Sequence, residues 1–238
     1  MKLYTMGLDI GGSGIKGILL AKRSVIDSFI AKTPKTETEF TETLKVILQK
    51  FNAHQGKVVR VGIGVAGIIK KTKVVWSPNI PYLKNFEFRE VFGRPLRLKV
   101  DNDARAILKG EVATNSNYVR KKIMLFTIGT GIGRAFAEKG RVLTIKKFEY
   151  PEVWEKEYQK IRNAKNNLYL LRFLAKKLSA ITKILETQVI LIGGGVAERK
   201  NFFAKIKKEF RKNGIKAPVK KSALKDFKTA FGAALLFK

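Results

Sequence analysis

Residues Leu8 to Gly17 read LDIGGSGIKG, and Gly12, Gly14 and Gly17 fall on the spacing G-x-G-x-x-G. In a dinucleotide-binding turn a helix must follow such glycines at once, so that its N-terminus meets the pyrophosphate. Here Gly17 to Lys22 reads as a second strand and Ser24 to Ala31 as a third, with no helix before Thr38. The same spacing recurs at Gly62, Gly64 and Gly67, which shows how little it specifies alone. What remains is an antiparallel hairpin, Leu3 to Ile10 followed by its partner, with a glycine turn that backbone N–H groups can use to approach a phosphate. Asp9 closes the first strand, in a place that suits a hydrated Mg²⁺. Gly11 and Gly12 leave the backbone open, Ser13 adds a hydroxyl, and Lys16 adds positive charge.

A second turn of this kind, TIGTGIG at Thr127 to Gly133, lies between apolar strands Lys122 to Ile128 and Ile132 to Glu138, with Gly129, Thr130 and Gly131 at its tip. A third glycine run, Gly193 to Gly195, follows the buried strand Val189 to Ile192, so Gly194 and Gly195 suit a contact to ribose or adenine. Each turn alone is a tight turn. The three in this order, with Asp9 in place, point to phosphoryl transfer. Between them the periodicity predicts a helix over Glu37 to Phe51, strands at Val58 to Val65, Lys71 to Val75 and Leu96 to Val100, and short helices at Arg89 to Phe92 and Asp103 to Gly110. Pro151 to Glu186 reads as helical, with Leu171, Leu174, Leu178, Ile181 and Leu185 on one stripe. Residues 198–212 read as a basic amphipathic helix and Ala223 to Phe237 as a closing helix.

Composition excludes several classes. At 45% hydrophobic residues the chain is folded rather than disordered, and no apolar run reaches the length of a membrane span. Without cysteine it forms neither disulfides nor Cys-based metal sites. The first strand starts so close to Met1 that no signal peptide is expected, which makes a cytoplasmic location the default. The charge is unusual: 49 Lys and Arg against 19 Asp and Glu give +30. Such a field draws polyanions. Solvated faces of a lysine-rich chain account for it as well, and both readings stay open. No RGG tract, zinc finger or RNP pattern supports sequence-specific nucleic-acid reading.

On these motifs the chain resembles the ROK family of sugar kinases, within the fold shared by actin, hexokinase and the heat-shock ATPases. LDIGGSGIKG resembles the family's first phosphate motif, SPNIPYL its sugar-side loop, VDNDARAILKGE its catalytic stretch, TIGTGIG its second phosphate motif, VILIGGGVAE its adenosine motif and FKTAFGAALL its closing helix. The resemblance implies an α/β, two-lobed, ribonuclease H-like fold with mixed sheets flanked by helices. It implies a first lobe over residues 1–105 with the closing helix 230–238, a second over 106–229, and a phosphate hairpin in each. It also implies ATP-dependent phosphorylation of a hexose such as glucose. Asp103 would be the base that takes the sugar hydroxyl's proton, and Asn79, Asn102 and Glu149 would bind sugar hydroxyls. Gly11, Gly12, Ser13, Lys16, Gly129, Thr130, Gly131, Gly194 and Gly195 would hold the donor, and Asp9 would hold Mg²⁺ through water. Homodimers are usual in such a family. From the residues alone, Asn102 as a turn residue and Asp103 as a helix N-cap stay open.

The pattern departs from the family in one region. Most members carry E-x-G-H and then a Cys-rich zinc motif; this chain has neither, so no structural zinc is expected. After the Gly140 hairpin comes KFEYPE, residues 147 to 152. In one register Lys147 and Tyr150 replace the motif's Glu and His; in another Glu149 and Glu152 do. Arg134 stands where the family often has Gly, and the lone His54 lies in a polar turn, apart from any motif. The short length and missing cysteines are similar to polyphosphate glucokinases, whose long anionic donor would give the +30 field a purpose. A catalytically degenerate protein that binds polyanions is the alternative from another class. A repressor is not expected, since Met1 leaves no room for a DNA-binding segment.

Overall fold

The computed structural model describes residues 2–163, 167–223 and 227–237. The chain forms two compact units, residues 1–113 with 224–238, and residues 114–223.

The first unit is built on a mixed five-stranded sheet. Strands β1 (Lys2–Ile10), β2 (Gly14–Ala21) and β3 (Ser24–Lys32) run antiparallel in sequence, as the alternation of apolar residues predicts. Helix α1 (Glu37–Asn52) crosses over to β4 (Gly56–Val65), which pairs parallel with β1. Thr36 caps α1, its hydroxyl accepting from the Glu39 N–H at 3.3 Å. Phe40, Leu44, Ile47 and Phe51 then form its buried stripe. A small sheet of β5 (Ile68–Lys70), β6 (Lys73–Trp76) and β7 (Phe86–Glu87) follows, then α2 (Phe88–Phe92). Strand β8 (Arg97–Asn102) returns to the edge beside β4, and α3 (Asp103–Thr114) starts directly from it. The sheet order is β3-β2-β1-β4-β8.

The second unit repeats the plan. Strands β9 (Ile123–Ile128), β10 (Ile132–Glu138) and β11 (Arg141–Leu143) form an antiparallel meander. Helices α4 (Glu155–Ile161) and α5 (Asn167–Ile184) lead to β12 (Val189–Gly193), parallel to β9. After α6 (Phe202–Lys212), β13 (Val219–Lys221) completes the order β11-β10-β9-β12-β13. Helix α7 (Lys228–Ala234) belongs to the first unit. It packs so closely that a β-carbon on Gly7 would lie 2.0 Å from the Ala230 carbonyl oxygen, and one on Gly62 1.9 Å from that of Ala233.

Three helix predictions are corrected. The single helix expected over Pro151 to Glu186 is two, since residues 151–154 lie outside helix and α4 ends at Ile161. Arg199 takes the Arg162 carbonyl and the Asn163 side chain there, a contact that periodicity cannot foresee. The basic helix begins at Phe202 rather than 198, because Asn201 adopts a left-handed backbone (φ 60°). Within the closing segment the α-helix is Lys228–Ala234, continuing as a 3₁₀ turn at Leu235–Phe237. The parts of these predictions at 164–166 and 224–226 lie outside the described residues. Among the described residues no helix is long and apolar enough to cross a membrane.

Candidate active site

In the first unit the candidate residues gather at the C-terminal ends of β1, β4 and β8. Parallel register sets Asp9 beside Gly64, and Gly64 beside Asp101. Asp103 opens α3 one residue beyond the end of β8. Gly64 is the pivot of this arrangement. A β-carbon there would lie 2.4 Å from the Thr229 methyl and 3.7 Å from the Asp103 Cα, so only glycine lets α3 and α7 both approach the strand. The Thr229 side chain lies against Gly64 and opposes the rise in the Asp9 pKa. The sequence reading missed Thr229; its position inside the closing helix carries no local signal for such a role.

The Asp103 charge bears on Asp9. Burial, and then the Asp103 charge, push Asp9 up to about 7, against the opposing effects of Thr229 and of Lys16, its partner across the hairpin. Burial likewise raises Asp103 above the ordinary carboxylate value. Asp103 accepts from the Ala104 N–H at 2.8 Å, and Arg105, paired with Asp101 at 2.5 Å, partly offsets the rise. A Mg²⁺ ion fits this donor set. Among the described residues no three His, Cys, Asp or Glu side chains converge on one point, but Mg²⁺ needs only one or two carboxylates together with waters and substrate phosphates. The raised pKa of Asp9 marks a carboxylate short of positive charge.

The first phosphate turn is shaped by close packing. The Gly11 N–H donates to the Gly14 carbonyl at 3.0 Å, and Thr33 Oγ1 donates to the Gly11 carbonyl at 2.5 Å. A β-carbon on Gly12 would lie 2.9 Å from that of Asn79, so glycine brings the turn against the SPNIPYL loop. Gly12, Ser13 and Asn79 are exposed. Asn102 is engaged on both sides: its Oδ1 accepts from the Ala104 N–H at 3.0 Å, and its Nδ2 donates to the Gly67 carbonyl at 3.2 Å.

In the second unit Gly129, Thr130 and Gly131 form the β9–β10 turn. Candidate β-carbons at Gly129 and Gly131 would meet nothing within 4 Å, so the tip is open. The third turn packs on its base. Gly194 (φ 96°) abuts Ile128 so tightly that a β-carbon would lie 2.4 Å from the Ile128 carbonyl oxygen, and the Val196 N–H donates to that oxygen at 2.9 Å. Gly195 stays exposed. The fold thus brings the TIGTGIG and GGG turns together.

Glu149 ends a one-turn 3₁₀ helix, Lys146–Glu149. Glu152 takes another course. Arg134, its side chain 1% exposed on β10, pairs with Glu155 at 2.6 Å and approaches Glu152 at 3.8 Å, and it donates to the Tyr150 carbonyl at 2.8 Å. The residue that departs from the expected glycine therefore anchors the segment that carries the departed motif. His54 lies 2.9 Å from Asp27 in the first unit, away from both turns.

Known proteins resemble this chain throughout. A glucokinase from Streptomyces coelicolor is 29% identical over 134 residues, covering 54% of this chain and 42% of that one. The match thus spans less than half the length of that relative. A polyphosphate glucokinase from Mycobacterium leprae is 25% identical over 209 residues, covering 81% of this chain and 64% of its own. The structure of a ROK family glucokinase from Streptomyces griseus, in complex with glucose and AMPPNP, superposes with a TM-score of 0.78 at 20% identity, over 97% of this chain and 98% of that one. That likeness shows the α/β fold with its mixed sheets and flanking helices. The ROK family pattern matches residues 5–147 and 144–238, and the chain belongs to the ROK family.

Proposed function

We propose that this protein is a sugar kinase that transfers the terminal phosphoryl group of ATP or polyphosphate to a hydroxyl of a hexose such as glucose. The observation that carries this reading is the pairing of Asp9 and Asp103 at the strand ends, beside a braced glycine turn. Asp103 takes the proton of the acceptor hydroxyl as its oxygen attacks the terminal phosphorus and the bond to the leaving phosphate breaks. Burial raises its pKa above the ordinary carboxylate value, which makes it a stronger base than an exposed aspartate once ionised. Asn79 and Glu149 orient the sugar. Asn102 serves the site by holding the start of α3 and, through Gly67, the sugar-side loop, with its remaining donor capacity toward the sugar. Gly11, Gly12, Ser13, Lys16, Gly129, Thr130, Gly131, Gly194 and Gly195 are the residues proposed to hold the donor. Asp9 holds Mg²⁺ through water, and the ion supplies charge neutralisation on the donor phosphates. We place the enzyme in the cytoplasm and expect a homodimer, which light scattering on the purified protein tests.

Phosphoryl transfer from ATP and from polyphosphate to hexoses, N-acetylhexosamines and inositol tests the reading, with Asp103→Asn as the control. Turnover in the native protein that the variant loses supports it. No turnover on any acceptor, with salt-sensitive polyanion binding untouched by the substitution, replaces it with the polyanion-binding reading that the +30 charge favours.

A further inference from the structure

Helix α4 and Arg162, the residue that caps its C-terminus, touch the second phosphate turn through three contacts. Tyr158 Oη donates to the Gly129 carbonyl at 2.5 Å. Gln159 Nε2 donates to the Thr130 carbonyl at 2.6 Å, and Arg162 Nη1 to the same oxygen at 3.1 Å. We propose that Tyr158, Gln159 and Arg162 are positioning residues for the phosphoryl donor, holding the turn's carbonyls so that its N–H groups are presented to phosphate. The proposal rests on the sugar-kinase reading and assigns α4 a part in it.

The reason lies in peptide geometry. In a trans peptide the carbonyl of one residue points opposite to the N–H of the next. Drawing the Gly129 carbonyl onto Tyr158 turns the Thr130 N–H away from α4. Drawing the Thr130 carbonyl onto Gln159 and Arg162 does the same for the Gly131 N–H. Two glycines in a three-residue tip let a phosphate approach closely, but they leave the tip floppy, and a floppy tip loses affinity to ordering. The brace offsets that cost before the donor arrives.

The brace is itself anchored at both ends. Buried Arg134 holds Glu155, the first residue of α4, from the strand that leaves the turn. Arg199 donates to the Arg162 carbonyl at the other end and comes from the segment just after the GGG turn. The first unit uses the same device independently: Thr33 Oγ1 on the Gly11 carbonyl turns the Gly12 N–H away from Thr33. What such a brace favours is the phosphate chain, whatever that chain is attached to. Donors with and without a nucleoside must therefore depend on it alike.

The test measures binding of magnesium tripolyphosphate by calorimetry in about 0.3 M salt, which screens the general field. It also measures KM for ATP, polyphosphate and sugar. The proteins are native, Tyr158→Phe, Gln159→Ala, Arg162→Met and Arg162→Lys. We expect tripolyphosphate affinity and donor KM to worsen about five- to tenfold in the first three variants. ATP and polyphosphate should shift equally, sugar KM should hold, and Arg162→Lys should recover part of the loss. Unchanged tripolyphosphate binding, or sugar KM rising in step with donor KM, overturns the brace. A native protein that binds tripolyphosphate in a brace-dependent way but transfers phosphate to no acceptor sinks the kinase reading and leaves the brace standing.

Discussion

Asp9 and Asp103 hold two acidic groups in a space that favours one negative charge, and their titration follows from that. Asp9 keeps its proton to about pH 7 when folded, whereas an unfolded aspartate loses it near 4. The folded state therefore binds more protons between these values, and this group's contribution to stability falls as pH rises from about 4 to 7. Asp9→Asn removes the penalty. Its melting temperature at pH 8 should exceed that of the native apoprotein by a few degrees, and the difference should shrink toward pH 5. Turnover should drop despite the gain in stability. Thermal scans across pH, beside activity, check both halves. Asp103→Asn should lower kcat on the order of 10²- to 10⁴-fold with the fold intact. The acid limb of the native pH–rate profile should lie above the ordinary aspartate value of about 4, in the direction burial shifts this group. These residues were legible from the motifs they sit in. Thr229, which completes the Asp9 environment, was not, since it lies 220 positions further along the chain and meets Asp9 only because α7 packs on β1 and β4.

Elements carry the next layer of specificity, and glycine decides where they touch. Gly232 on α7 faces α3 so closely that a β-carbon would lie 1.7 Å from the Ala106 carbonyl oxygen. Gly232→Ala should destabilise the protein by about 3 kcal/mol, because backbone cannot yield as a side chain can; urea unfolding measures it. Thr36→Ala, which removes only the cap of α1, should cost about 1 kcal/mol in the same assay and leave activity unaltered. Sequence pattern found α1 by its buried stripe, β3 by its alternation of exposed and half-buried residues, and β4 by the continuous apolar run that ends it. It overran at α4, which ends at Ile161, with Arg199 donating to the Arg162 carbonyl just beyond. It passed over β13, whose three residues, Val-Lys-Lys, carry no alternation and become a strand by pairing with β12.

At the scale of the molecule, a chain of charge +30 still buries an ion pair, Arg134 with Glu155. Arg134→Met should cost about 3–5 kcal/mol, since Glu155 would be left buried without its partner. Adding Glu155→Leu should recover much of that stability, while the loss of the anchored α4 keeps donor KM raised. Denaturant unfolding and kinetics on both variants separate the two effects. The sequence by itself determined the glycine turns, the strands that flank them, the acid at the end of the first strand and the family to which the chain belongs. These depend on conformational freedom and on apolar spacing within a few residues, which a chain displays locally. Only the tertiary structure decided that Asp9 and Asp103 share a field, that Arg134 ties down the altered motif, and that α4 grips the carbonyls of the second turn. Those depend on sheet register and helix packing that bring residues dozens or hundreds of positions apart within hydrogen-bond distance, where no local pattern points to the partner.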